Sequence, residues 1–436
     1  MRNGVSINRW AVAALLAGLV AFSPVAHGAG FSIFEQGTKA MGMAGAFTAQ
    51  ADDPSALWHN AGGLAFQKEQ DFALGFTYIR SLDATVEGAD PFPGAGYSAE
   101  QETLSEFPPH AYWVQPINDT WTFGLGVNAP FGLTTEWKDD FRGRFISRLA
   151  SLTAIDVNPT LGWQVTPNLG LGFGAIGRFS TVELERNVSQ FNPFTQTQAD
   201  IATVHLEGDI ADNSGYGWNV GLLHKVNNSF SWGLSYRSAI DIDYEGDTEL
   251  TQNLTGTPFD ALIAQALPFG TTFPVETAID FPDLISLGIA MAITPNSLVE
   301  LDVNRTGWSS FEELQIVFPE GQLPSSTIPE EYDDAFHYRL GLRYDSSPGR
   351  QWRFGVVYDE TPQPEEAVSP LLPDSDRTGF TVGYGYEGNK YTFDLAAMYL
   401  VFDERSRGVN FPGDDAGTFF GTYEQEALLL GLTLGF

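Results

Sequence analysis

Hydrophobic and polar positions alternate with a period of two along most of the chain beyond its N-terminal part, as they do in β-strands. The segment WTFGLGVN at residues 121–128 places Trp, Phe, Leu and Val on one face and Thr, Gly, Gly and Asn on the other. Residues 72–78, 169–175 and 380–386 follow the same rule. A soluble β-sandwich would also alternate, but it would not so often place glycine on its core face. The pattern therefore indicates strands with lipid on one side and a lumen on the other.

Short turns and long loops connect these segments in alternation, which is the layout of bacterial outer-membrane barrels. Compact hairpin turns are predicted at Asn118-Asp119, Pro167-Asn168, Asn227-Asn228, Pro295-Asn296, Ser347-Pro348-Gly349 and Gly388-Asn389. The connections between them are longer, polar and rich in Pro or Gly. We therefore predict an all-β fold, a transmembrane antiparallel β-barrel of about 14 strands that starts near Gln70 and ends at Phe436.

The last ten residues are the clearest of these strands. Five apolar side chains from Leu428 to Phe436 share one face, and the chain ends on an aromatic residue. Such a final strand resembles the signal by which outer-membrane barrels are recognised for assembly, so we expect the barrel-assembly machinery as a partner during biogenesis. A buried strand of a soluble protein is the alternative.

The N-terminal part divides into a leader and a plug. Residues 1–28 have the features of a signal peptide, with a positive start, an apolar core and a small-x-small cleavage site at Ala26-His27-Gly28. The apolar core is too short for a membrane anchor. Residues 29–66 are rich in Gly and Ala and lack strand alternation. We predict that they form a hatch inside the lumen and that residues 67–436 form the barrel.

Composition excludes several classes of function. The chain has no cysteine, so it has no disulfide, no thiolate metal site and no cysteine nucleophile. Without the leader, the chain has 20 basic and 55 acidic residues. This strongly negative net charge argues against a nucleic acid as partner. We predict no metal site and no cofactor.

The predicted loops carry most of the acidic residues, at 83–106, 312–334, 360–374 and 403–415. Solvated loops are one explanation, and divalent cations that bridge the loops to anionic lipopolysaccharide are another. The loop segment 259–267 has the pattern of a short amphipathic helix. It would serve as an apolar landing surface at the cell exterior or pack locally within its loop.

Several stretches, taken in order, resemble one family. They are Ala29-Gly30-Phe31, Glu35-Gln36-Gly37, residues 52–60, residues 129–137, residues 142–145, Asn158-Pro159, residues 307–311, residues 372–377 and Gly383-Tyr384. The family is that of the FadL/TodX-type outer-membrane transporters, which take up long-chain fatty acids and hydrocarbons. Each stretch alone is weak, but the ordered set covers essentially the whole chain after the leader.

The resemblance implies a passive transporter in the outer membrane of a Gram-negative bacterium, surrounded by lipid and lipopolysaccharide. It implies capture in an outer groove between long loops, a deeper apolar site beside the N-terminus, and release through hatch movement and a lateral opening at a kinked strand. Long-chain fatty acids or similar hydrophobic compounds are the expected substrates. Aromatic or alkane hydrocarbons are the alternative on the same scaffold.

The chain departs from the family at the hatch, where Asn-Pro-Ala is usual. Here Asn60 is followed by Ala61 and Gly62, which leave the backbone freer than proline would. The departure puts the detail of gating at these three residues in doubt more than it does the fold.

Candidate ligand-binding residues lie in the hatch and on the lumen face of one strand. The hatch candidates are the apolar residues Phe31, Ile33, Phe34, Met41 and Met43, which otherwise simply pack the plug into the barrel. An arginine in the lumen would bind a carboxylate head, and Arg178 is the preferred candidate. The other arginines that face the lumen by parity are Arg237, Arg339, Arg343, Arg353 and Arg377, and acids such as Asp302, Asp345, Asp359 or Asp394 would pair with them.

The lateral opening has two candidate positions. Asn158-Pro159 interrupts a strand pattern and requires a bulge or a broken ladder pair, which would kink the wall. The alternative is the third strand, whose Gly124, Gly126 and Asn128 face lacks bulk.

Functions of other classes receive less support. An outer-membrane lipid-modifying enzyme would need a nucleophile, but the sequence has no Gly-x-Ser-x-Gly elbow and its histidines are scattered. We therefore predict that the protein is not an enzyme. The plug argues against a nonspecific porin, and adhesion or phage binding would be a secondary role of the loops.

Overall fold

A computed structural model describes residues 30–208, 213–409 and 418–436. The predicted signal peptide and Ala29 lie outside the described residues. Within the described part of the chain, no helix is both long enough and apolar enough to cross a membrane.

Strands make up most of the described residues. In chain order they are β1 (Asp71–Gly88), β2 (Ser98–Glu100), β3 (Ser105–Glu106), β4 (Pro109–Pro116), β5 (Trp121–Glu136), β6 (Leu149–Thr166), β7 (Leu169–Asn192), β8 (Thr197–Gly208), β9 (Ser214–Asn227), β10 (Phe230–Arg237), β11 (Ile240–Gln252), β12 (Phe273–Phe281), β13 (Leu284–Thr294), β14 (Ser297–Thr306), β15 (Glu313–Ile316), β16 (Ser326–Pro329), β17 (Ala335–Ser347), β18 (Arg350–Asp359), β19 (Arg377–Glu387), β20 (Thr392–Phe402), β21 (Arg405–Val409) and β22 (Phe419–Gly435). The α-helices are α1 (Thr38–Met41), α2 (Ala56–His59) and α3 (Phe259–Ala266), and 3-10 helices lie at Ala61–Phe66, Trp308–Ser310 and Glu365–Ala367.

Fourteen of the described strands close into an antiparallel wall. Their order is β1, β4, β5, β6, β7, β9, β10, β13, β14, β17, β18, β19, β20 and β22, and β22 pairs with β1 from Gly435↔Ala73 upward. Each of the six predicted hairpin turns joins two neighbouring wall strands. The predicted barrel of about 14 strands is therefore confirmed. Closure removes free edges, which lipid could not hydrogen-bond.

The two faces of the wall differ as the alternation predicted. On β18, Phe354 is 45% exposed while its neighbour Arg353 is 2% exposed. The wall as a whole presents Leu, Phe, Trp and Tyr outward, and it presents glycine and polar side chains to the interior. Lipid on the outside and a filled lumen on the inside explain this difference.

The long loops build a second layer on one side of the wall. The upper part of β7 pairs with β8, β8 pairs with β11, and β11 pairs with β12. The predicted loop helix is confirmed as α3, whose Phe259 and Ile263 pack into this layer. This side carries all the long connections and is therefore the extracellular side.

Residues 30–66, here called the N-terminal segment, fill the interior of the wall. Their main chain lies directly against glycines of the wall strands. A Cβ atom added to Gly172 of β7 would lie 2.2 Å from the carbonyl oxygen of Ala61, and one added to Gly233 of β10 would lie 2.1 Å from that of Thr48. The glycines on the lumen face are thus required by the close approach of two backbones.

We predict that Gly172→Ala weakens the seating of the N-terminal segment. The new methyl group would overlap the Ala61 carbonyl and destabilise the folded protein by about 1–3 kcal/mol or more. The measurement is the urea concentration at the midpoint of unfolding. Unfolding is followed by the heat-dependent shift of the barrel's band in gel electrophoresis. Gly177→Ala on the same strand is the matched control, because there the nearest atom, of Phe179, is 3.8 Å away. Equal midpoints for the two variants would contradict the prediction.

Candidate ligand path

An aromatic cluster surrounds Phe31 at the start of the N-terminal segment. Phe31 is 5% exposed, and its ring centroid lies 4.4 Å from that of Trp308. The rings of Phe131, Phe281 and Phe311 pack around it at centroid distances of 5.8 to 6.1 Å. Three distant parts of the chain therefore build one apolar site at Phe31.

The N-terminal segment is bonded to the edge of β5. The Gly132 amide donates to the Phe31 carbonyl at 3.0 Å, and the Ile33 amide donates to the Pro130 carbonyl at 2.8 Å. The Gln36 side chain donates to the Ala129 carbonyl at 2.6 Å. Strand β5 carries a register shift against β6 between Asn128 and Phe131, and at this level its backbone bonds to the N-terminal segment.

The wall has a gap beside this shift. Strand β4 begins at Pro109 and pairs with β5 only as far as Asn128. Above that level, β1 pairs on this side with only the short strands β2 and β3. Among the described residues, no ladder joins the upper halves of β1 and β5.

A cavity of about 310 Å³ runs from the aromatic cluster to this gap. Phe31 and Ile33 line its inner end, and Phe107, Pro108 and Pro109 line its outer end. Phe107 is 58% exposed, so the outer end lies at the membrane face of the wall. The volume falls within the range of roughly 300–1,000 Å³ that is typical of ligand pockets.

The structure places no register shift at Asn158-Pro159. Strand β6 runs unbroken from Leu149 to Thr166, and its pairing with β7 resumes in the same register beyond the two residues. Pro159 has no N–H to donate, and the Asn158 side chain donates to the Ala175 carbonyl of β7 at 2.7 Å instead. The shift lies at Ala129 and Pro130, on the third wall strand that the sequence offered as the other position.

Two charged side chains border the large cavity at its inner end, Arg377 and Glu35. Arg377 donates to Asp359 at 3.0 Å, and Asp359 also accepts from Arg339 at 3.0 Å. Burial raises the pKa of the Glu35 carboxyl above its ordinary value, while the charges of Arg377 and Arg339 act in the opposite direction. The amide of Gly30 donates to Asp374 at 2.9 Å.

Arg178 lies behind the aromatic cluster in a second, smaller cavity of about 20 Å³. It binds Asp156 through two hydrogen bonds of 2.7 and 3.0 Å, and Arg237 approaches the same carboxylate at 3.3 Å. Arg178 and Arg237 thus share Asp156, which leaves one positive charge in excess at the site. Arg178 is 3% exposed, and its Nη1 atom is buried without a hydrogen-bond partner.

The other apolar candidates separate into two groups. Ile33 and Phe34 line the small cavity, and Ile33 also lines the large one. Met41 packs against Ala396, Met398 and neighbouring residues of β20 and β22, and Met43 lies against Gly341 and Gly355. The structure therefore brings Phe31, Ile33, Phe34 and Arg178 together, and it uses Met41 and Met43 to pack α1 against the wall.

Asn60, Ala61 and Gly62 are buried between the N-terminal segment and strands β7, β9 and β10. The Asn60 side chain donates to the carbonyls of Thr48 at 2.7 Å and Leu222 at 3.0 Å, and it accepts from the Gly62 amide at 3.0 Å. These bonds connect the turn of the segment to the wall.

An apolar groove of about 140 Å³ lies in the extracellular layer. Residues of β7 and β8 form one side, and the β15–β16 hairpin with Phe318 and Leu323 forms the other. Its lining is mainly Leu, Ile, Val and Phe, so it offers an apolar surface to a molecule that arrives from outside.

Sequence reasoning missed Trp308, Phe131, Phe281 and Arg377 as members of the site. Their signal was available in part, because three of them lie in the stretches that carry the family resemblance. Nothing in the strand pattern indicated that these stretches would meet around Phe31.

Comparison with known proteins agrees with this architecture. A family model described as outer membrane protein transport protein (OMPP1/FadL/TodX) matches residues 19–436. The "Long-chain fatty acid transport protein" of Escherichia coli O6:H1 is 26% identical, with 97% of each chain covered. "Outer membrane protein P1" of Haemophilus influenzae strain Rd is 25% identical, with 94% of this chain and 95% of the relative covered.

Two solved structures share the fold. The crystal structure of a Pseudomonas aeruginosa FadL homologue has a TM-score of 0.80 at 22% identity, covering 94% of this chain and 99% of the other. The Pseudomonas putida toluene transporter TodX has a TM-score of 0.69 at 17% identity, covering 94% and 98%. The closed wall and the family match place the chain in the outer membrane of a Gram-negative bacterium. The chain belongs to the OMPP1/FadL/TodX family of outer-membrane transport proteins.

Proposed function

We propose that the protein is a passive transporter that takes up long-chain fatty acids or similar hydrophobic compounds and releases them sideways through the wall. The observation that carries this proposal is the cavity that joins the aromatic cluster at Phe31 to the gap between β1 and β5. An apolar molecule would remain out of water along this path and would enter lipid at its end.

Transport begins at the extracellular groove between β7, β8 and the β15–β16 hairpin. Its apolar lining would hold a hydrocarbon chain weakly until the chain moves inward. The next site is the aromatic cluster, where Phe31 occupies the space that a ligand needs. Displacement of Phe31 would weaken its bonds to β5 and open the large cavity.

A carboxylate head would bind beside Arg178. The two cavities share Ser32, Ile33 and Phe131, so a ligand that enters one lies next to the other. The excess positive charge and the unpartnered Nη1 atom of Arg178 favour an anion there. A neutral aromatic or alkane hydrocarbon would use the same apolar walls without this contact, and one solved relative is named as a toluene transporter.

Residues 29–66 act as the hatch in this proposal, and Asn60, Ala61 and Gly62 form its gate. The three residues contact three wall strands, so any shift of the hatch relative to the wall has to break these contacts. The outer surface contacts outer-membrane lipid and lipopolysaccharide, and the leader at 1–28 is removed before the barrel-assembly machinery inserts the chain. We assign no catalytic step to the protein and no metal or cofactor to the path.

Arg178→Met will reduce fatty acid uptake and leave hydrocarbon uptake near the wild-type level. A hydrogen bond to a charged group contributes about 1.5–3 kcal/mol, which corresponds to about 10- to 100-fold in affinity. The measurement is uptake of labelled oleate and toluene by cells that lack other transporters, with binding of oleate and methyl oleate to the purified protein.

Arg353→Met is the matched control, because Arg353 is equally buried and pairs with Asp394 away from Phe31. Equal losses for both variants, or equal losses for oleate and methyl oleate, would show that Arg178 has only a structural role. Unchanged uptake of every hydrophobic compound after gene deletion would overturn the transporter proposal itself.

Ala61→Pro will keep the fold and lower the uptake rate. Ala61 is the first residue of a 3-10 helix and follows an extended Asn60, which is the backbone setting that proline prefers. Proline would restrict the backbone conformation of the gate and restore the family's usual residue. Ala61→Gly is the control, and initial rates of oleate uptake at equal surface expression provide the measurement. Identical rates in all three proteins would show that this turn does not control passage.

A further inference from the structure

Two carboxyl groups of the wall hold one loop of the N-terminal segment. Glu300 and Asp302 lie two residues apart on β14, so they share the lumen face, and neither is exposed. Asp302 Oδ2 accepts from the amides of Phe47 at 3.0 Å and Thr48 at 2.9 Å. Glu300 Oε1 accepts from the next two amides, at 2.5 and 3.3 Å.

The remaining oxygen of each carboxyl is buried and has no donor. Glu300 Oε2 and Asp302 Oδ1 receive no hydrogen bond, although the other oxygens of the two side chains hold consecutive amides of the same loop, which places the carboxyls side by side. Two acceptors can bond to each other only if one carries a proton. Two ionised carboxylates in contact, both removed from water, would repel strongly.

No cation in the described residues bonds to either carboxyl. Arg339 lies opposite Asp302 on β17, but it donates to Asn304, to the Ala44 carbonyl and to Asp359. Arg343, further along β17, donates to Gln50 and Asp52.

The other elements packed against the pair add no ionised partner either. The residues opposite on β13 are Ala290 and Gly288, which carry no charge. On the N-terminal segment, His59 packs against the Phe47 ring at 5.5 Å.

We propose that Glu300 and Asp302 share one proton and form a clasp that fixes residues 47–50, and with them the gate, in the closed position. The link to the gate is direct, because the Asn60 side chain donates to the Thr48 carbonyl. The two carboxyls are therefore positioning residues for Asn60. This inference rests on the proposed function only for its effect on uptake, since the shared proton is a property of the barrel itself.

The proton sets the state of the clasp. With one proton, Glu300 Oε2 and Asp302 Oδ1 form a hydrogen bond, and the two outer oxygens remain free to hold four amides of the segment. Loss of the proton at alkaline pH creates two adjacent buried anions, and separation of the carboxyls relieves their repulsion. The loop at residues 47–50 then loses its anchor.

Infrared spectroscopy of the purified barrel at neutral pH tests the proton without transport. The carbonyl stretch of a protonated carboxylic acid is expected in the native protein, and Glu300→Gln should remove it. Glu330→Gln is the matched control. Glu330 is a buried loop residue whose pKa burial raises to about 8, so it contributes a separate band. An unchanged acid band in Glu300→Gln would overturn the shared proton.

A cysteine reporter tests the clasp, and the native chain has no cysteine to interfere. Ala49→Cys, at a site that is 1% exposed, should react slowly with a methanethiosulfonate reagent. Glu300→Ala should raise that rate by about tenfold, because two amides lose their acceptor. Glu300→Gln should keep it slow, because its amide N–H replaces the shared proton and its carbonyl still accepts.

The pH profile separates a clasp from simple packing. In the native background, the Ala49→Cys rate should rise toward alkaline pH faster than in Glu300→Gln, where no proton can be lost from this position. The variant Glu207→Ala, at an exposed position of β8, should leave both rates unchanged. Equal rates for Glu300→Gln and Glu300→Ala, or parallel pH profiles in the two backgrounds, would refute the clasp. An intact clasp in a protein whose gene deletion leaves the uptake of every hydrophobic compound unchanged would instead count against the proposed function alone.

Discussion

The main chain of the N-terminal segment touches the main chain of the wall, and the rest of the structure depends on this contact. Glycines on the lumen face leave no layer of side chains between the two backbones, as at Gly172 and Gly233. The amides and carbonyls of the segment are therefore buried, and the wall has to supply their partners. Asn60, Glu300 and Asp302 meet this requirement with side-chain hydrogen bonds.

The charged interior follows from the same constraint. A lumen filled by protein excludes bulk water, so each arginine that faces it needs a carboxylate nearby. Arg339 and Arg377 meet this need together at Asp359, and Arg353 meets it at Asp394. Arg178 and Arg237 likewise share a single acid, Asp156.

One irregularity in β5 lies between the start of the N-terminal segment and the gap in the wall. The register shift against β6 lies at Ala129 and Pro130, where β5 bonds to the first residues of the N-terminal segment. The pairing of β1 with β4 ends at Phe76 and Pro109, so beyond this level β4 no longer joins β1 to β5. The Phe31 carbonyl accepts directly from Gly132 of β5, so the aromatic cluster and the strand beside the gap are in contact.

The sequence by itself determined the closed barrel, its even strand number, the six hairpin turns and the helix at Phe259–Ala266. These features depend on the hydrophobic periods of strands (two) and helices (about 3.6) and on the residues of each turn, all of which are set by residues close together in the chain. It also determined that Arg178 faces the lumen, because alternate residues of a strand point to opposite faces and the neighbouring residues show which face is apolar.

The tertiary structure decided where the ladder between wall strands ends, which apolar residues of the N-terminal segment line a cavity, and which acid each buried arginine binds. Each depends on cross-strand register and on contacts between residues hundreds of positions apart, such as Phe31 with Trp308. The sequence marked Pro159 as a candidate break but not Pro130, which has the same local chemistry. The Asn158 side chain compensates for Pro159 across the ladder, whereas at Pro130 the backbone of the N-terminal segment bonds to β5.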